Sequence, residues 1–189
     1  VLRFAAAPSH PGARRFNETS SLSNFMQTDL DTIDIAILRA LEMDGRITNL
    51  DLAKQVGLSQ SACLRRVKQL EQNGVIKAYK VQLDSVNLGL EVQAIVQVTM
   101  RPDGEGWHEA FKRTVAEWPE VAYAYVITGS SNYILLVRAR SLKEYADFVI
   151  GRLYKTPGVL EVTSNIVLEE FKGDGSPLEV ALRHVKGKG

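Results

Sequence analysis

Three cations, Arg65, Arg66 and Lys68, stand on a short segment whose apolar residues fall at Cys63, Leu64, Val67 and Leu70. That spacing is a mostly one-sided helical stripe, so the cations lie largely on other faces. Side chains of this kind neutralise and hydrogen-bond a polyanion. The elements that must position them are legible in the stretch from Ile47 to Leu83, ITNLDLAKQVGLSQSACLRRVKQLEQNGVIKAYKVQL. Thr48, with Asp51 three residues on, caps a first short helix whose apolar face is Leu52, Ala53 and Val56. Gly57 closes it, because glycine accepts left-handed geometry without cost to a side chain. Ser59 then caps a second helix running to about Gln72. Two short helices, the second polar and basic, suit a duplex major groove. After an Asn73-Gly74 turn, Val75 to Leu83 reads as a hairpin, with Ile76, Ala78 and Val81 against the helices and Lys77 and Lys80 within reach of phosphate. Together these predict a winged helix-turn-helix. The competing reading is a helix pair whose charges are only a solvated surface.

Other chemistries find little support. The three histidines, His10, His108 and His184, lie far apart in sequence, and none is paired with an aspartate and a nucleophile. There is no H-E-x-x-H and no phosphate-binding glycine motif. We therefore expect no enzyme, no cofactor and no metal. Cys63 is the only cysteine, which excludes an internal disulfide and suits a reducing cytoplasm. Its place on the apolar stripe marks it as a small buried hydrophobe. The 189-residue chain is 45% hydrophobic and 24% charged with net charge +1, ordinary globular material. With a pI near 8.0, any basic surface must be local. No apolar run is long enough to span a bilayer.

Around this unit the chain reads as an α+β protein. A first helix begins near Asp29 or Asp31, with Leu30, Ile33, Ile37, Leu38 and Leu41 as its stripe, and ends at Asp44-Gly45. Asp31 and Asp34 lie at its positive end, where acids are favoured. It completes a three-helix core, so the DNA-binding domain spans 29–83, followed by a linker at 84–89. Leu90 to Met100 alternates apolar and polar residues, as a half-exposed strand does. A helix follows over Trp107 to Trp118, with Trp107, Ala110, Phe111, Val115 and Trp118 near one side. Strands at Val121 to Thr128 and Tyr133 to Ala139 are joined at Gly129 to Asn132. Ser141, with Glu144 three residues on, caps a helix burying Leu142, Tyr145, Phe148, Val149 and Leu153. Val159 to Glu169 reads as a strand interrupted near Ser164-Asn165. The order βαββαβ over 90–172 is the ferredoxin-like antiparallel sheet with both helices on one face. Its other face needs cover, most simply a second copy of the chain. Residues 173–189 read as a tail with one short strand around Leu178 to Leu182. Residues 1–28 read either as a disordered basic arm that touches DNA or as an extension preceding a natural start at Met26, and we favour the extension or a dispensable tail.

From about Leu30 to Lys172 the sequence resembles the leucine-responsive regulatory protein and asparagine regulator (Lrp/AsnC, feast/famine) family of transcription factors. The resemblance rests on Asp44-Gly45-Arg46, Leu52-Ala53, Val56-Gly57-Leu58-Ser59, Arg66-Val67, Leu70-Glu71, Gly74-Val75-Ile76 and Tyr79. In the second half it rests on Thr128-Gly129, Tyr133-Ile134-Leu135, the helix from Ser141, and Leu153 with Pro157-Gly158-Val159. It implies a winged helix-turn-helix joined to an amino-acid-sensing domain, forming dimers that assemble into octamers or other higher oligomers on double-stranded DNA. It also implies a cytoplasmic, nucleoid-associated protein. By position in the family motif, Ser59 to Gln72 is the recognition helix. Gln60, Ser61, Leu64 and Arg65 lie nearest the groove, Arg66 and Lys68 contact phosphate, and Ser59 is foremost a cap; for Arg66 a salt bridge within the domain is the equal alternative. The resemblance places a small effector at the loop Thr128, Gly129, Ser130, Ser131, Asn132 and Tyr133, between dimers. The family commonly carries acids where this chain has Ser130 and Asn132, so the ligand differs from the usual amino acids, the pocket is silent, or the stretch is only a tight turn. Three alternatives remain beside the ligand-gated regulator: a DNA-coating architectural protein without effector, a protein-interaction module with a vestigial helical unit, and an enzyme built on the same sheet.

Overall fold

In the computed structural model, residues 30–101, 105–173 and 175–185 are described. The expectations for residues 1–28 lie outside them. The chain divides into two compact units after Tyr79.

The first unit holds three helices, α1 (Thr32–Met43), α2 (Asn49–Gln55) and α3 (Gln60–Gln72). Each start follows from a side-chain cap. Asp31 accepts hydrogen bonds from the Ile33 and Asp34 N–H groups at 2.9 and 2.8 Å. Thr48 accepts from Asp51 N–H at 3.1 Å, and Ser59 from Ala62 N–H at 3.3 Å. These bonds satisfy donors that the first turn of a helix leaves without partners. Gly57 has φ +70°, as its role in the turn requires. The helices close around Ile37, Ala40, Leu52, Ala53, Cys63 and Leu70. Cys63 is fully buried, and burial pushes its thiol pKa up, consistent with a packing role.

The hairpin expected after α3 does not form. Gly74 at φ +71° ends the helix, and the Val75 and Ile76 N–H groups both bond to the Leu70 carbonyl. Ile76 packs on the helices, but Ala78 and Val81 are exposed, and 77–84 carries no strand ladder among the described residues. Past it, the Asp84 carboxylate caps a turn through the Val86 and Asn87 N–H groups. The linker at 84–89 is thus a hydrogen-bonded turn.

The second unit is a four-stranded antiparallel sheet in the order β2-β3-β1-β4, from β1 (Val92–Met100), β2 (Val121–Val126), β3 (Tyr133–Ala139) and β4 (Val159–Ile166). With α4 (Trp107–Ala116) and α5 (Leu142–Phe148) it is the expected βαββαβ unit. The even-numbered residues of β1 and the odd-numbered residues of β3 are buried, together with Phe111, Val115, Tyr145, Phe148, Val149 and Leu153. Past α5 the helix continues as a π turn over Val149–Leu153, which keeps Val149 and Leu153 inward.

Three expectations are corrected. Leu142 is exposed rather than buried. Leu142 occupies the first turn of α5, and the helix meets the core only one turn later. β4 runs unbroken through Ser164 and Asn165, where the exposed Ser164 hydroxyl accepts a hydrogen bond from the Tyr145 hydroxyl. The strand expected near Leu178 is instead a helix, α6 (Pro177–Val185). Ser176 accepts from Glu179 N–H at 3.4 Å with Pro177 at the first helical position, and both favour a helix start.

Candidate nucleic-acid interface

Once Cys63 and Leu70 are committed to the core, the geometry of α3 is fixed. Successive residues are about 100° apart around a helix, so Gln60, Ser61, Arg65 and Lys68 must face outward, and all four are exposed. Leu64, expected on both the stripe and the groove side, is 38% exposed at the edge of the outward face. Ser59 serves as the helix cap and also lies 3.3 Å from the Ser61 hydroxyl. Lys77 is exposed beyond the end of α3.

Arg66 forms the salt bridge within the domain that was the equal alternative to a phosphate contact. Its Nη1 donates to Asp31 Oδ2 at 2.7 Å and to Asp34 Oδ1 at 2.9 Å, joining α3 to the start of α1. The Asp34 N–H and then the Arg66 guanidinium hold the Asp31 carboxyl below its usual pKa, and the two carboxylates push that of Arg66 up. Two further ties were not foreseen. Asn49 Nδ2 donates to the Gln60 carbonyl at 3.0 Å, and the Tyr79 hydroxyl donates to Glu71 at 3.0 Å. Burial, then the Glu71 hydrogen bond, pushes the Tyr79 phenol up to about 12. No sequence spacing announces these pairs, since one partner of each sits in a turn or at a helix end.

The six loop residues expected at an effector split into two groups. Thr128, Gly129 and Ser130 are exposed. The other three hold the loop. Ser131 is 8% exposed and donates to Gln97 Oε1 at 3.4 Å. Asn132 Oδ1 accepts from Met100 N–H at 2.6 Å. Asn132 thereby supplies the backbone acceptor that an aspartate would supply at this position, without the charge. Tyr133 points into the helix-covered core, against Phe111 at 4.4 Å between ring centroids, with its hydroxyl bonded to His108 Nδ1. Burial pushes its phenol up to about 12. The N–H groups of residues 128–131 have no backbone acceptor among the described residues.

On the opposite sheet face, Ile95, Tyr123 and Tyr125 stand in solvent, with the two tyrosine rings stacked at 6.3 Å. With Leu136 and Phe171 they line an open trench of about 830 Å³.

Comparison with known proteins bears on both units. Residues 30–77 match a family model described as winged helix-turn-helix DNA-binding, and residues 93–177 one described as the Lrp/AsnC ligand binding domain. A leucine-responsive regulatory protein of Rhizobium meliloti is 37% identical over 82% of this chain and 99% of its own length. The crystal structure of a transcriptional regulator of Neisseria meningitidis in complex with L-methionine superposes with a TM-score of 0.76 at 36% identity, over 80% of this chain and 99% of that one. A feast or famine regulatory protein of M. tuberculosis, complexed with L-methionine, gives a TM-score of 0.69 at 32% identity over 79% and 99%.

Proposed function

The chain belongs to the Lrp/AsnC family and is a DNA-binding transcriptional regulator; from that premise we propose how its own residues perform the task. In this reading α3 enters a major groove, with Gln60, Ser61, Leu64 and Arg65 against base edges and Lys68 and Lys77 on phosphate. Ser59 starts the helix. The observation that carries the reading is the outward, exposed face of α3, fixed by the burial of Cys63 and Leu70 behind it. A mobility-shift titration at rising salt tests it. Binding to a genomic promoter fragment should weaken steeply, with a slope of about −0.9 per phosphate neutralised. Salt-independent binding would refute a phosphate-contacting surface.

A second copy covers the apolar trench over Ile95, Tyr123 and Tyr125, and dimers build an octamer or other higher oligomer. Assembly gathers several recognition helices in one particle, so individually weak contacts gain effective concentration. Such a particle would sit on the nucleoid.

The effector in this reading is an amino acid bound between dimers at the lip formed by Thr128, Gly129 and Ser130, with Ser131 and Asn132 holding that lip in shape. A carboxylate there would find backbone N–H donors in 128–131. Two relatives are known with L-methionine, which makes it the first ligand to try. Gating needs no chemistry: the ligand must bind two assembly states unequally, or it shifts nothing. Calorimetry against the twenty amino acids checks this, and no heat with any of them would remove the effector. The ligand-binding family match over 93–177 weighs against a purely architectural role.

A further inference from the structure

The recognition helix is tied to the rest of its unit by polar contacts at its start, middle and end: Asn49 to the Gln60 carbonyl, Arg66 to Asp31 and Asp34, and Tyr79 to Glu71. The middle tie differs from the others. It joins Arg66 and Asp34 side chains that are only 26% and 17% exposed to an Asp31 side chain that is 48% exposed. It also spans 32 and 35 residues of sequence, from α3 to the first turn of α1. We propose that Arg66 is a positioning residue for groove reading, one that sets the rotation of α3 about its own axis and touches no phosphate.

The argument is geometric. Cys63 and Leu70 set which face of α3 turns to the core, and the Arg66 ion pair adds a directional restraint on its fine rotation. A hydrogen-bonded ion pair is directional, and this one acts at a single nitrogen held between two carboxylates. Asp31 is itself immobilised by two backbone N–H groups, so the anchor is rigid. Arg65 is the next residue round the helix, about 100° away. A modest rotation of α3 therefore moves the Arg65 guanidinium off a base edge, while phosphate contacts by flexible lysines survive.

This rests on the DNA-binding reading above and separates from it by experiment. The probe is the duplex that the full-length wild-type protein enriches from a random-sequence pool, with poly(dI-dC) as the non-specific duplex. Arg66→Gln and Asp34→Asn are compared with wild type, and both are checked for folding by circular dichroism. Positioning predicts that each lowers the specific-to-non-specific affinity ratio by about fivefold or more, the scale of one lost base contact, with the salt slope unchanged. Asp34→Asn is the sharper arm, because it removes a negative charge near the duplex. Simple electrostatics makes that variant bind DNA more tightly, whereas positioning makes its specific binding weaker. A slope that falls by about 1 in Arg66→Gln would make Arg66 a phosphate contact and overturn the proposal. So would an unchanged affinity ratio in Asp34→Asn, which remains readable even if Arg66→Gln fails to fold. Failure of the wild-type protein to enrich any duplex would instead remove the DNA-binding reading itself.

Discussion

In the helical unit, α1, α2 and α3 turn their apolar residues onto one another around Ile37 and Cys63. The sheet unit covers one face with α4 and α5 and leaves Ile95, Tyr123 and Tyr125 in water on the other. The first unit therefore shows outward what it uses, polar and basic side chains on α3. The second shows outward what it has not yet buried. A reader of DNA can be complete within one chain, but a face of stacked tyrosines and isoleucine calls for a partner surface. In the proposed reading, specificity resides in the first unit and valency in the second.

The largest effect should come from breaking the second unit's face. Ile95→Asp puts a charge at the centre of the open sheet. Light scattering should report a monomer, and affinity for a multi-site promoter should fall by about 10²–10⁴ as avidity is lost. A variant that stays oligomeric would place the seam elsewhere. On the reading side, Arg65→Ala should weaken operator binding by about 1–3 kcal/mol while leaving the oligomer intact. Unchanged affinity would remove Arg65 from the base contacts.

A comparable but purely structural cost is expected at the loop. Asn132→Ala leaves the Met100 N–H without its acceptor and should cost about 1–3 kcal/mol in denaturant unfolding. Asn132→Asp keeps the acceptor and should cost less; equal losses would mean that the bond does not matter. A smaller effect is expected at the start of α2, where Thr48→Ala should cost about 1 kcal/mol.

Acid should separate the units further. The Asp31 carboxyl has a folded pKa below its ordinary value of 3.8, chiefly through the Asp34 N–H. Its contribution is complete above that value and is lost as pH falls through the depressed one. Asp31→Asn retains a capping side chain but removes this dependence. Its helical unit should lose less stability than wild type between neutral pH and pH of about 3, read by circular dichroism of the full chain. Equal losses would leave Asp31 without a part in acid unfolding.

Legibility in the sequence followed the range of the interaction. The caps at Thr48, Ser59 and Ser141 act over two or three residues, and the alternation of β1 and β3 over two, so spacing alone located them. The hairpin expected over 75–83 did not form, because a strand needs a partner that local pattern cannot supply. The break near Ser164 failed because polar residues on an exposed strand face leave the ladder with β1 intact. At the candidate sites the same boundary holds. The exposure of Gln60, Ser61, Arg65 and Lys68 followed from periodicity, while the division of the loop into an exposed lip and an inward Tyr133 did not.

By itself, the sequence determined where α2, α3 and α5 start, which residues of β1 face inward and which face of α3 carries charge, because each depends on neighbours within a turn or a pleat. Only the tertiary structure decided that Arg66 faces two carboxylates, that Asn132 holds a backbone N–H of β1 and that 77–84 forms no strand ladder among the described residues. Those outcomes turn on groups brought together from distant parts of the chain, where a hydrogen bond's steep dependence on distance and angle, not residue type, selects the partner.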